Sequence, residues 1–363
     1  MSETRIAQRV LNECLRLKED EQLLVSSWDH TLPLASAIAL EASKLGAGSL
    51  IQVETDWLML NYLTNVPEKY YQKKQRAYLS LLDGVDATVS LGGPEDPGIF
   101  EKIPGDRLAK GFESNMEIAD KERERGIRNL FLPHGQLTSQ RARTYGFDLD
   151  RWTRITNDAI DVDHDKIAVL GKKLASKLEK ASKVHVTAAN GTDLTFSIGN
   201  RPVHVHDGII DDEDIAKGTT FEFLPSGSVE VAPVESSAEG TILFDQPMAL
   251  RGKMVRGLSL KFENGRLVNY EADANLDAFS DYYLGASGDR DRIASFSIGL
   301  NPSSDYIGYF TDGLVLGAVT VGVGGNKDIG GANQTSFGHA QTLSKATVEA
   351  DATKILSNGK PEI

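Results

Sequence analysis

Near residue 160 the sequence changes its pattern, and that change divides the chain into two kinds of fold. Before it, helical and strand patterns alternate. Ile6, Val10, Cys14 and Leu17 recur at helical spacing, a short apolar run follows at 22–27, and a second helical stretch covers 32–45, with Gly46 placed to cap it. A second strand spans 49–54, further strands are expected at 87–91 and 129–133, and a charged helix at 106–125 lies between those two. Strand–helix–strand order builds an open, mostly parallel sheet covered by helices, so residues 1–160 read as an α/β domain.

After residue 160 the alternation stops. An amphipathic helix at 166–180 opens the second half. Strand runs at 183–187, 193–197, 228–232, 240–244, 258–263 and 266–272 are then separated by Asn-Gly, Gly-Thr, Pro-Ser-Gly and Glu-Asn-Gly turns. This is an α+β domain rich in mixed or antiparallel strands, covering 161–363, with 156–165 as the linker. A chain of 363 residues, 40% of them hydrophobic, is long enough to give each domain its own core. The glycine-rich run 314–331 starts as a buried strand and ends as either tightly packed backbone or a mobile lid.

The net charge of −13, with no block of like charges, argues against nucleic acid or an anionic membrane as partner. Cys14 is the only cysteine, which excludes an internal disulfide and a cysteine-rich zinc site. The first ten residues carry no apolar signal core and no run of eighteen apolar residues occurs, so a cytoplasmic setting is expected.

Gly92-Gly93-Pro94 and Pro133-His134-Gly135 each follow a strand of the first half, where open α/β sheets bind ligands; either can equally be a plain turn. His30, near a helix start after the first strand, is a further pocket candidate. No GxGxxG opens a helix, no GxxxxGK[ST] occurs, and no GxSxG elbow supports a serine-hydrolase triad. His164 is expected at the surface of the linker. Asp211 to Asp214 form an acidic run that reads as a solvated turn or an attractor for cations. Tyr282, Tyr283, Tyr306, Tyr309 and Phe310 are either pocket lining or core.

Five blocks of the second half occur in order: NGTDLTFSIGNRPVHVHDG, LPSGSVEVAPVESSAEGTI, RIASFSIGLNP, LVLGAVTVGVGGN and SFGHAQTL. Together they resemble the C-terminal half of the M29, or thermophilic, metallo-aminopeptidases, over about residues 183–343. The resemblance implies that fold, a homodimer and a two-metal hydrolytic site. In the family a Glu after LP-x-G, a Glu before IG-x-NP, a His in the next strand and a final His-x-Asp hold the two cations, which activate water and polarise a carbonyl. Laid onto this chain, those positions are Ser228, about Ser295, Thr320, and His339 with Gln341. Hydroxyls and a neutral amide are weak replacements for carboxylates, so the ordinary two-metal site is expected to be lost or reworked.

The resemblance therefore implies a diverged aminopeptidase-like hydrolase acting on a small amide or short peptide. His339 and Glu230 are its catalytic candidates, Ser228, Glu235, Ser295, Thr320 and Gln341 line the cavity, and His339, His206 and Glu230 are candidate ligands for a single divalent metal. His204 and His206, at i and i+2, share one face of a strand. Two alternatives use the same scaffold. One is an Fe(II)-dependent ring-opening dioxygenase of hydroxypyridines, which needs two His and a carboxylate. The other is a metal-free protein that binds a ligand or performs other chemistry.

Overall fold

The structure, a computed structural model, describes residues 1–71 and 75–362 and forms two compact units. Unit 1 comprises Met1–Ile103, Lys110–Ile160 and Gly208–Pro225; unit 2 comprises Pro104–Ala109, Asp161–Asp207 and Ser226 onward.

In unit 1, β1 (Gln22–Trp28), β2 (Gly48–Glu54), β3 (Ala87–Ser90) and β4 (Arg128–Phe131) lie in the order β2-β1-β3-β4, and Phe221–Phe223 adds a fifth strand beside β4. Every pairing is parallel. The apolar run of β1 follows from this arrangement. Leu23 and Val25 pack with Ile6, Val10, Leu11 and Ile38 on one face, while Leu24 meets Leu82, Val85 and Ile127 on the other. A strand covered on both sides must be apolar at successive positions. Helix α1 (Glu3–Arg9) runs on through a π-turn to Cys14, and α2 (Leu32–Lys44) ends before Gly46, whose φ of +80° is the left-handed cap expected there. The fifth strand was not legible because Phe-Glu-Phe is too short to show a period. The helix expected at 106–125 is two helices, Gly105–Glu113 and Met116–Arg125, separated at Ser114-Asn115.

Arg128 holds the start of β4 from inside. Its guanidinium is buried, meets a Glu21 carboxylate oxygen at 2.6 Å and donates to the Leu15 carbonyl at 2.7 Å. Arg128→Met should lower the unfolding free energy by about 3 kcal/mol, because it orphans a partly buried carboxylate and a carbonyl. Urea unfolding reads this directly; a loss below about 1 kcal/mol would mean that solvent already screens the pair.

Unit 2 is built on two antiparallel sheets. The larger has eight strands, in the order Arg266–Glu271, Ser259–Glu263, Glu239–Leu243, Asp193–Ser197, Lys183–Thr187, Thr347–Ala350, Thr353–Ser357 and Lys360–Pro361. The smaller has five, in the order Gly338–Leu343, Val319–Gly324, Ile293–Gly299, Ser228–Val231 and Val203–His206. One hydrophobic core joins them, with Phe196 of the larger sheet and Phe296 of the smaller at 5.2 Å between ring centroids. The Glu-Asn-Gly turn is a two-residue hairpin loop with positive φ at Asn264 and Gly265. A Cβ on Gly265 would lie 1.9 Å from the Glu235 carbonyl oxygen, so no other residue fits.

Three local expectations are corrected. His164 is buried, not at the surface: it starts the helix His164–Leu178, and its Nδ1 lies 2.5 Å from the Asp207 carbonyl oxygen. Much of 156–165 is helical, shared between Leu149–Ile160 and that helix. The acidic run is a capping device: Asp211 accepts from the amides of Glu213 and Asp214 at the start of Asp212–Lys217.

Candidate active site

In an antiparallel sheet, directly opposed residues share a face and neighbours along a strand alternate. The pairings His206 with Ser228, His204 with Glu230, Glu230 with Ser297 and Ser297 with Thr320 therefore set one polar face across four strands. Ser295, two residues from Ser297, belongs to it, and Gly322 sits opposite with its missing Cβ 2.5 Å from Ser295 Oγ. Ala340 and Thr342 continue the face on the last strand, Thr342 Oγ1 lying 3.1 Å from Thr320 Oγ1. The short 3-10 helix Phe310–Leu314 lies against this end: a Cβ on Gly313 would come 2.7 Å from Thr320 Oγ1.

The structure thus brings Ser228, Glu230, Ser295, Thr320 and His206 onto one surface and leaves His339 and Gln341 on the other. Those two oppose Val323 and Val321, which belong to the core. His339 is buried, its ring edge-on to Phe279 at 5.1 Å, and its Nε2 lies 3.2 Å from Gln341 Oε1. Gln341 Nε2 in turn donates to the Gln246 carbonyl at 2.9 Å. Phe279 and Phe337 pack with Tyr282 and Tyr283 beside His339; of the aromatic residues expected as lining or core, Tyr283 and Tyr309 are buried, Tyr282 and Tyr306 are partly buried and Phe310 is exposed. The pairing of His339 with His206 and Glu230 around a single metal is not formed, because the sheet lies between them.

Burial lowers the His339 pKa to about 4, only partly offset by the hydrogen bond to Gln341. A histidine held neutral in the fold but protonated below its ordinary value when unfolded contributes stability above about pH 6.5, which is lost as pH falls toward 4. Asp312 acts in the opposite sense. Burial raises its pKa to about 6 against the amides of Ile307 and Gly308 that it accepts, so its contribution is present below its ordinary value and fades as pH rises through 6. His339→Gln should therefore remove about 3 kcal/mol of pH-dependent stability between pH 6.5 and 4. Melting temperatures of both proteins across that range test it; parallel curves would mean the ring is not held neutral.

Glu235 is not on the polar face. It accepts from the Ala332 amide at 2.7 Å and pairs with Arg201. Burial alone would raise its pKa, but the Ala332 amide and the Arg201 charge outweigh that and hold it below the ordinary carboxylate value. Its role is to pin the glycine-rich loop. Asn333 Nδ2 donates to the Ile293 and Gly324 carbonyls at 3.0 and 2.8 Å, and a Cβ on Gly324 would lie 2.2 Å from the Phe337 carbonyl oxygen. This segment is packed backbone and not a free lid.

What remains on the polar face is one ionisable pair with a neighbouring imidazole. His206 Nε2 lies 3.3 Å from Glu230 Oε2, both largely shielded, and the His204 ring is stacked on that of His206 at 6.4 Å. The donor set of this face does not fit two divalent cations: Ser228, Ser295, Ser297 and Thr320 offer neutral hydroxyls, Glu230 is its one carboxylate among the residues named, and Ala340 and Thr342 occupy the face of the last strand. Among the described residues no three His, Cys, Asp or Glu side chains converge as metal ligands, and this includes His204, His206 and Glu230. Sequence reading missed Ser297, Ala340 and Thr342. Their membership depends on cross-strand register, although i+2 spacing from Ser295 pointed to Ser297.

Three comparisons bear on this arrangement. The family model described as thermophilic metalloprotease (M29) matches residues 151–291. Aminopeptidase AmpS of Bacillus subtilis is 24% identical over 127 residues, a match spanning 33% of this chain and 28% of that protein's length. Among solved structures, AmpT from Thermus thermophilus superposes with a TM-score of 0.73 at 15% identity, covering 99% of both chains. The 2,5-dihydroxypyridine dioxygenase from Pseudomonas putida KT2440 does so with a TM-score of 0.64 at 18% identity, covering 99% of this chain and 98% of that one. At these identities the structural likenesses concern fold. The α/β unit with its parallel sheet and the antiparallel second unit give this chain the fold of AmpT, and the M29 metalloprotease model matches its residues 151–291.

Proposed function

We propose that this is a diverged, metal-independent member of its aminopeptidase-like family that hydrolyses a small amide or short peptide at the polar face of the five-stranded sheet. The observation that carries the reading is the His206–Glu230 pair at 3.3 Å, set among hydroxyls where the family's cations would need carboxylates. Glu230 Oε2, 3.3 Å from Nε2, is the charge partner of the ring, so the imidazole acts as the base and the carboxylate stabilises the imidazolium that forms on proton uptake. The proton comes from water or from Ser228, directly across the ladder from His206. Ser295, Ser297 and Thr320 supply hydroxyls to orient a polar substrate. The same reading carries a cytoplasmic homodimer with small-molecule or short-peptide substrates and neither nucleic acid nor membrane as partner, in keeping with the acidic charge. Among the described residues no helix is long and apolar enough to cross a membrane.

Metal content per chain, measured on protein purified without chelator or metal affinity resin, tests the reading together with hydrolysis of aminoacyl amides. Less than about 0.1 equivalent, and turnover indifferent to EDTA, is expected on a site of this donor chemistry. Two equivalents of zinc, manganese or cobalt would overturn it in favour of the two-metal peptidase. One equivalent of iron with oxygen uptake on hydroxylated pyridines would favour the dioxygenase, whose residue types His204, His206 and Glu230 supply without converging.

A further inference from the structure

Unit 1 carries a second constellation, on different strands and of different chemistry. In the order β2-β1-β3-β4 the chain leaves β1 toward β2 on one side and reaches β3 on the other, so β1 and β3 flank the switch point where open sheets of this kind bind ligands beyond the strands' carboxyl ends. The segments after β1, β3 and β4 enclose a cavity of about 380 Å³ there, lined by His30, His134, Glu3 and Glu95 with hydroxyl-bearing side chains between them.

The cavity is held open by backbone. His30 Nε2–H donates to the Gly135 carbonyl at 2.9 Å, tying the turn after β1 to the turn after β4. A Cβ on Gly135 would stand 2.3 Å from the Leu91 carbonyl oxygen and 2.5 Å from Thr31 Cγ2, so only glycine lets the three segments meet. His134 Nδ1 is buried and has no hydrogen-bond partner. Burial, aided by the amino terminus, lowers the His134 pKa to about 4, leaving a neutral ring with a hydrogen-bonding nitrogen to satisfy. Among the described residues two carboxylates line the wall and no lysine or arginine side chain does, which favours a cation over a phosphate or carboxylate ligand. The size suits a small organic molecule.

We propose that this cavity is a binding site for a small organic ammonium compound, with Glu95 and Glu3 as charge partners and His134 as the hydrogen-bond partner of its polar group. Saturation-transfer NMR on the full chain at neutral pH, with ethanolamine as probe and ethylene glycol and inorganic phosphate as controls, tests it. Ethanolamine is expected to show transfer and the controls none. Glu95→Gln should weaken ethanolamine about tenfold, the loss of one charge-assisted contact, and His134→Gln should weaken it too. Glu230→Gln, in the other unit, should bind unchanged, which separates this site from the proposed hydrolytic one. Equal signals from ethylene glycol, phosphate binding in place of amine binding, or an unaltered affinity in a folded Glu95→Gln protein would each overturn the proposal. The probe comparison needs no variant, so a misfolded mutant does not protect it.

Discussion

Glu230→Gln is expected to lower kcat for aminoacyl-amide hydrolysis by about 10²- to 10⁴-fold with little change in stability. The amide keeps the shape and one acceptor oxygen of the side chain, which is about one-fifth exposed, but removes the negative charge that supports the imidazolium of His206 at 3.3 Å. His206→Asn should cost a similar factor, and the double variant should be scarcely worse than either single one, because residues acting as a unit lose their effect together. EDTA should leave every one of these rates unchanged. Full turnover in Glu230→Gln would sink the assignment of the base, and so would costs that simply multiply. Ser228→Ala separates the two proton sources: a rate near wild type assigns water as nucleophile, and a fall comparable to that of His206→Asn assigns the serine.

Phe279→Ala should produce the largest change in stability, a loss of about 3–5 kcal/mol. The ring is fully buried and packs against Tyr270, Tyr283 and Phe337 as well as the His339 imidazole. Its removal takes away the lost transfer energy and leaves a cavity lined by rings that cannot readily collapse into it. The cavity lies next to a neutral imidazole, so water entering it would ease protonation of His339, and the pH dependence of stability between 6.5 and 4 should flatten together with the stability loss. Chemical denaturation at pH 7.5 and pH 5 measures both. A cost below about 1 kcal/mol would show that the aromatic cluster repacks, and an unchanged pH slope would show that His339 stays dry.

The pH arguments combine in one way for the whole molecule. His339 and His134 both lose stability on acidification, and Asp312 gains it over nearly the same interval. A measured profile is therefore the sum of opposing contributions, and variants at single positions read each one better than the wild-type curve does.

How much of this was legible can be judged residue by residue. The strands Lys183–Thr187 and Asp193–Ser197 fall where alternation and Asn-Gly turns put them, because a period of two is a local property of a half-buried strand. Gly46 was legible as a cap for the same reason: left-handed backbone after a helix is a local demand. The M29 resemblance rests on five short blocks whose order survives divergence, and it carried the fold. What sequence could not decide was the face on which each side chain stands. His339 reads as the surviving ligand until the pairing of its strand with Val319–Gly324 turns it into the core and sets Ala340 and Thr342 on the polar side. A shift of one residue in register reverses every side chain of a strand, and nothing local to Ser-Phe-Gly-His-Ala-Gln-Thr-Leu encodes that shift.

The sequence by itself determined most of the elements and their order. The tertiary structure alone decided which polar groups meet. His206 and Glu230 come together only because two strands separated by more than twenty residues pair in one register, and His30 meets Gly135 only across a parallel sheet. Local patterns fix backbone conformation through steric and hydrophobic periodicity, whereas a site is a set of long-range contacts whose geometry is fixed by packing.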